Sequence, residues 1–381
     1  MTKRFLPYGS QWVTDDDIKA VEGVLRGAWL TTGPAVQTFE SDLNRYCGTQ
    51  HALALNSGTA ALHCAYHALG LGPGDELITT PLTFAATANA AVYLGASVRF
   101  VDVDPATGTL DSATLEAAIG QRTKVIAAID YAGHPADYDA INAVAEAHDV
   151  AVVADAAHSL GATYKGRRVG TLADVTTLSF HPVKVITTGE GGAMLTNGSE
   201  LADRGAVFRS HGIIHDPARM RAPGGPWHQE MQGMGYNYRL SDIQCALGSS
   251  QLTPLDAFMS RRRAIAATYS QAFAGQSAFE CPTQRGNVES AWHLYVIHVN
   301  DASRREAFFN RLRECGLGVQ VHYVPVHHHP FYQDRGHDPS ACPKALDFSA
   351  RAISIPIFPR MSDDDVNFVI ETIDSVAGEI L

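Results

Sequence analysis

The chain has 381 residues, 45% of them hydrophobic, six cysteines and a formal net charge of -11. That length accommodates a large and a smaller domain with a sizeable core, and the acidic balance gives no support to a nucleic-acid partner or an anionic-membrane surface. With no N-terminal signal pattern and no apolar run of spanning length, a cytoplasmic protein without a membrane partner is expected, its scattered cysteines reading as reduced thiols.

HALALNSGTAALHCAYHALG runs from a buried-strand pattern through Asn56, Ser57, Gly58 and Thr59 into an amphipathic helix. Free N–H groups at that helix start, its dipole and two small hydroxyls make a cradle for phosphate. An ordinary Ser or Thr N-cap is the alternative at this point. From about 50 to 200, ELITT, SVRFVDVD, KVIAAID, VAVVAD, VTTLSF and GAMLTN read as strands, with TFAATANAAVYLG and ADYDAINAVAEAHD as intervening helices. This alternation predicts βαβ units and a mainly parallel sheet covered on both faces, with ligands at the carboxyl ends of the strands.

VAVVADAAHSLGA ends an apolar run in Asp155, with His158 three residues on. A carboxylate there is costly unless paired, whether with a protonated ring nitrogen, a metal or a helix start. In SFHPVKVITTGEGGAML, Lys184 follows a strand end and precedes a Gly-rich turn. An amine held in a partly dry site loses its proton readily and attacks a carbonyl, although most lysines are solvated surface charges.

Residues 211–235 form a long loop rich in Gly, Pro, Met and Arg, closed by Tyr236, Asn237, Tyr238 and Arg239. SDIQCALGSSQL then starts a helix capped by Ser241. The run Arg261 to Arg263 reads as a solvated helix face. The division falls at 255: residues 1–255 are a large domain and 256–381 a smaller α+β domain. In the latter WHLYVIHV and GVQVHYV are strands, with SRREAFFNRLREC and DDDVNFVIETIDSVAGEI as helices. HYVPVHHHPFY is dense in imidazole, but it lacks a carboxylate at ligand spacing and no metal is expected.

Together, the Asn56–Thr59, Asp155–His158 and Lys184 segments resemble the DegT/StrS family of sugar-nucleotide aminotransferases. The likeness covers nearly the whole chain, from LTTGP (30–34) to QVHYVPVH (320–327). SFHPVKVITTGEGGA and RLSDIQCALG resemble in particular the C4 aminotransferases of UDP-linked 4-keto-6-deoxy-N-acetylhexosamines, including the pseudaminic acid pathway enzyme.

The resemblance implies an α/β architecture of fold type I, with a mainly parallel seven-stranded sheet, and pyridoxal 5'-phosphate as cofactor. It makes Lys184 the residue that bonds the cofactor aldehyde and then serves as base and acid, and pairs Asp155 with the ring nitrogen. Phe84 and His158 are implied at the ring, and Ser57, Gly58, Thr59, Ser179 and Asn237 at the phosphate. Trp29, Thr31, Thr32, Tyr323 and His327 are implied substrate residues. The implied partners are a nucleotide-linked keto-sugar, L-glutamate and a second copy of the chain, with active sites shared across a homodimer. GDP- or dTDP-linked sugars are alternative substrates. A dehydratase of the same family carries histidine where Lys184 stands, and a non-catalytic regulator would lack Asp155 or add a DNA-binding segment.

Overall fold

The computed structural model describes residues 4–381. Strands β1 (His51–Leu55), β2 (Glu76–Thr79), β3 (Ser97–Phe100), β4 (Thr123–Ile129), β5 (Ala151–Asp155), β6 (Val175–Ser179) and β7 (Gly192–Thr196) form a seven-stranded sheet in the order β1-β7-β6-β5-β4-β2-β3. β7 is antiparallel to both neighbours and the remaining pairs are parallel.

The strands are apolar throughout because both faces are covered. Leu77, Val125 and Val153 point into one core, while their neighbours Ile78, Ile126 and Val152 point into the other. Each such side chain removed from water contributes about 1.5–3 kcal/mol.

Helix α1 (Pro34–Cys47) starts with proline and stops at Gly48, whose φ of 77° suits glycine, and buries Phe39, Leu43 and Cys47 on the first face. Helix α2 (Gly58–Ala68) lies on the other face, buried along most of its length. Helix α3 (Ala86–Tyr93) begins later than the pattern TFAATAN indicates, so Phe84 precedes it in a turn. α4 (Tyr138–Ala147) completes the crossover into β5.

Within the expected long loop, Ile213–Ile214 and Glu230–Met231 pair antiparallel, and Trp227, Met231 and Met234 are exposed. α5 (Asp242–Leu252) starts at Ser241 in a full capping box with Gln244.

Helix α6 (Leu255–Ala272) joins two cores: Leu255 and Met259 pack below the large sheet, and Ile265, Ala266 and Tyr269 in the C-terminal core. That core covers a three-stranded antiparallel sheet of β8 (Phe279–Glu280), β9 (Tyr295–Val299) and β10 (Ala352–Ile355). Leu6 belongs to it too, since Leu6–Pro7 pairs in parallel with Leu317–Gly318. α7 (Arg305–Glu314) and α8 (Asp363–Ile380) close the body, with Ser362 and Asp365 forming a capping box at the acidic start of α8.

Two expectations are corrected here. Arg262 is not solvated: it is 1% exposed, on the same face of α6 as Phe258, Ile265 and Tyr269, and donates to the carbonyls of Trp292 and Ile357. GVQVHYV is not a continuous strand. Only Leu317–Gly318 pairs as one, Gln320 makes a single bridge to Ser354, and the His322 carbonyl accepts from the Tyr131 hydroxyl instead of a sheet neighbour. The irregular run that follows carries His322 and Tyr323 to the carboxyl ends of the large sheet.

Candidate active site

At those strand ends lies a cavity of 420 Å³, lined by Ser57, Gly58, Thr59, Phe84, Asp155, His158, Ser179, Lys184 and Tyr323 among others. Each is delivered by a different local device. Ser57 caps α2, its side chain accepting from the Ala60 N–H at 3.0 Å, and Ser57, Gly58 and Thr59 at this helix start line the cavity. Gly58 is needed for space: a Cβ there would lie 2.9 Å from Cβ of Ser179. Ser179 ends β6, opposite Gly192 on β7, where a Cβ would lie 2.4 Å from the Ser57 carbonyl oxygen. The three segments are thus pressed together around one polar corner.

Asp155 ends β5 and is buried. The Thr87 hydroxyl donates to its Oδ2 at 2.6 Å and the Ala157 N–H to its Oδ1 at 3.3 Å. Burial pushes the carboxyl pKa up; the Thr87 and Ala157 hydrogen bonds and the Lys184 charge oppose the rise.

Lys184 sits just past β6, its backbone N–H bonded to the His181 carbonyl at 2.8 Å. Burial pushes its amine down to about 8, against the pull of Asp155. The amine therefore stays mostly protonated near physiological pH, but far more of it is neutral and nucleophilic than for a solvated lysine.

His158 is buried, and burial, reinforced by the Lys184 charge, holds its ring well below the usual imidazole range, hence neutral. Its Nε2 is 3.0 Å from the Tyr323 hydroxyl, while its Nδ1 is buried without a hydrogen-bond partner. Phe84 is 63% exposed, at the mouth and not in a core, with its ring 6.3 Å from that of Tyr323.

The other expected residues lie apart from this cavity in the single chain. Asn237 is exposed, and its carbonyl accepts from the Asn56 side chain at 3.2 Å. Trp29 and Thr32 are exposed, and Thr31 bridges Ser241. His327 is buried beside Phe100.

Sequence reading had not singled out Thr87, Tyr8 or His293, all on the cavity wall. Thr87 lies three positions after Phe84, one helical turn away, which was the available signal. Tyr8 and His293 come from segments packed with the C-terminal body and had none. Among the described residues, no group of three or more His, Cys, Asp or Glu is arranged to hold a metal ion.

The cavity offers an anion corner, an amine of lowered basicity, a buried acid and an aromatic wall. The Nδ1 of His158 without a partner, the space that only Gly58 leaves and the buried carboxylate of Asp155 together fit an aromatic aldehyde bearing a phosphate and a ring nitrogen.

Comparison with known proteins agrees with that chemistry. The model of the DegT/DnrJ/EryC1/StrS aminotransferase family matches residues 12–374. The chain is 40% identical to the spore coat polysaccharide biosynthesis protein SpsC of Bacillus subtilis, over 98% of each chain. It is 38% identical to the UDP-4-amino-4,6-dideoxy-N-acetyl-beta-L-altrosamine transaminase of Campylobacter jejuni, again over 98% of each. Among solved structures, PseC of Helicobacter pylori, an aminotransferase involved in the biosynthesis of pseudoaminic acid, superposes with a TM-score of 0.93 at 32% identity, covering 99% of this chain and 100% of that one. The PLP-form of Spr1654 from Streptococcus pneumoniae gives the same values. The chain belongs to the DegT/DnrJ/EryC1/StrS aminotransferase family, whose members depend on pyridoxal phosphate.

Proposed function

We propose that this aminotransferase moves an amino group from L-glutamate to the C4 ketone of a nucleotide-linked 4-keto-6-deoxyhexose, specifically a UDP-linked N-acetyl sugar. The observation that carries the reading is the meeting of Lys184 and Asp155 in one cavity at the ends of β5 and β6. The name of the Campylobacter jejuni relative supports the sugar.

Pyridoxal phosphate, when bound, supplies the carbonyl that carries the amino group and a ring that accepts electrons. The chain supplies the rest. In this reading Ser57, Gly58, Thr59 and Ser179 hold the phosphate, Asp155 keeps the ring nitrogen protonated, and Phe84 and His158 flank the ring. The Nζ of Lys184, its basicity lowered by burial, takes the proton from the donor's α-carbon and gives it back later in the cycle.

The working unit is a cytoplasmic homodimer. The 211–235 loop, with Trp227, Met231 and Met234 exposed, offers the apolar surface for a second copy, and Asn237 serves the neighbouring subunit's phosphate. Residues 1–255 and 256–381 are the two domains, with Trp29, Thr31, Thr32, Tyr323 and His327 toward the sugar nucleotide. Among the described residues no helix is long and apolar enough to cross a membrane.

The test is turnover of purified protein with L-glutamate and a panel of UDP-, GDP- and dTDP-linked 4-keto sugars. Formation of 2-oxoglutarate with the UDP-linked N-acetyl sugar, abolished in Lys184→Ala, is the expected result. No 2-oxoglutarate with any member of the panel overturns the proposal.

A further inference from the structure

Asp155 does not meet the cavity alone. Thr87 Oγ1 lies 2.6 Å from its Oδ2, and Thr83 Oγ1 lies 2.9 Å from Thr87 Oγ1. Both threonines are buried, at 1% and 3% exposure, so neither hydroxyl exchanges this partner for bulk water. A hydroxyl has one proton. If Thr87 gives it to the carboxylate, its oxygen is left to accept from Thr83, and the chain has one direction: Thr83 to Thr87 to Asp155. The turn and helix start that hold these hydroxyls also carry Phe84 at the mouth.

We infer that Thr87, backed by Thr83, is a positioning residue that keeps Asp155 ionised and aims its free lone pairs at the cofactor's ring nitrogen. The hydroxyl donates to Oδ2 and the Ala157 N–H to Oδ1, so the carboxyl is held against rotation by a bond on each oxygen. The titratable groups that act on Asp155 or feel its charge, from the elements packed around it, are Lys184, Asp130, Tyr66, Tyr138 and Tyr323, and His158 lines the same cavity. Lys184 is the cationic one, and it is the residue that the cofactor engages. During turnover the hydroxyl chain, with the Ala157 N–H, is therefore the fixed support of the carboxylate.

This rests on pairing Asp155 with the ring nitrogen, and the experiment separates the two ideas. Holoenzyme is prepared as wild type, Thr87→Val, Thr87→Ser and Thr83→Val. Two quantities are read: the equilibrium dissociation constant for pyridoxal phosphate, and the pH at which bound cofactor is released on acidification, followed by its absorbance after ultrafiltration.

Loss of a hydrogen bond to a charged group predicts roughly tenfold weaker binding in Thr87→Val. Because the hydroxyl lowers the Asp155 pKa, removing it lets the carboxylate protonate at higher pH, so the release midpoint moves up by about one unit. Thr87→Ser restores both readouts and Thr83→Val shifts both the same way by less.

Thr87→Val matching wild type in both readouts, or Thr87→Ser shifting as far as Thr87→Val, overturns the role of the hydroxyls alone. Wild type retaining cofactor without any acid midpoint overturns the Asp155 pairing together with it.

Discussion

The Tyr323 hydroxyl lies 3.0 Å from Nε2 of His158, with the two rings inclined by 21° and their centroids 6.1 Å apart. The tyrosine comes from the irregular run after Gln320 and the histidine from the turn after β5, so this contact ties the C-terminal body to the large sheet at the cavity. With the imidazole neutral, a hydroxyl donating to Nε2 fixes the proton on Nδ1, the ring nitrogen with no partner.

Tyr323→Phe removes that donor while keeping the ring. The expected result is about fivefold weaker pyridoxal phosphate binding, the worth of one neutral hydrogen bond. Fluorescence titration of apoprotein measures it, and affinity equal to wild type would show that His158 needs no tyrosine to orient it.

Lys184 sets a pH dependence. Its amine is pushed down to about 8 by burial, against 10.5 when unfolded. Between those values the unfolded chain binds more protons than the folded one, so this lysine makes stability rise with pH through that window. Covalent labelling of Lys184 in apoprotein by an amine-reactive reagent, read by peptide mass spectrometry, should rise with a midpoint near 8. A midpoint above 10 would mean the amine is solvated.

Gly58→Ala places a methyl group 2.9 Å from Cβ of Ser179, and the polar corner proposed for the phosphate must widen to take it. Gly58 opens α2 and does not need a positive φ, so the fold should survive. Roughly tenfold weaker cofactor binding is expected, an amount comparable to losing one charge-assisted hydrogen bond. Unchanged affinity, measured by equilibrium dialysis, would remove the corner from the phosphate site.

Arg262→Ala leaves the carbonyls of Trp292 and Ile357 without their donor in the interior. A loss of about 3 kcal/mol in unfolding free energy follows, within the range for a broken buried polar network. Urea denaturation of apoprotein reads it, and a change below 1 kcal/mol would show that water takes over the guanidinium's role.

The legible parts of the sequence were those where a regular pattern breaks. Lys184, Asp155, Ser57 and Ser179 stand where an apolar strand run ends in a polar residue, and the parallel sheet gathers such ends on one edge. Thr87 was hidden because a threonine inside an alanine-rich helix looks like filler until its partner, 68 positions away, is known. Arg262 was misread from charge alone, although its spacing of four from Phe258 and three from Ile265 set it on the apolar stripe. GVQVHYV has a strand's composition, but beyond Gly318 its backbone finds partners in a single bridge and in the Tyr131 and Ser349 hydroxyls, which no local pattern reveals.

The inverted direction of β7 has a mechanical consequence. Because Ser179 and Gly192 face one another in register, the segment between them is a hairpin tied at both ends into the middle of the sheet, and it is fastened again where Thr188 bonds back to Phe180. The backbone beneath the reactive amine cannot swing away unless the ladder itself comes apart. The ladder amides of β6 and β7 should therefore exchange with solvent at rates close to those of global unfolding, and the lysine moves chiefly through its own side-chain torsions.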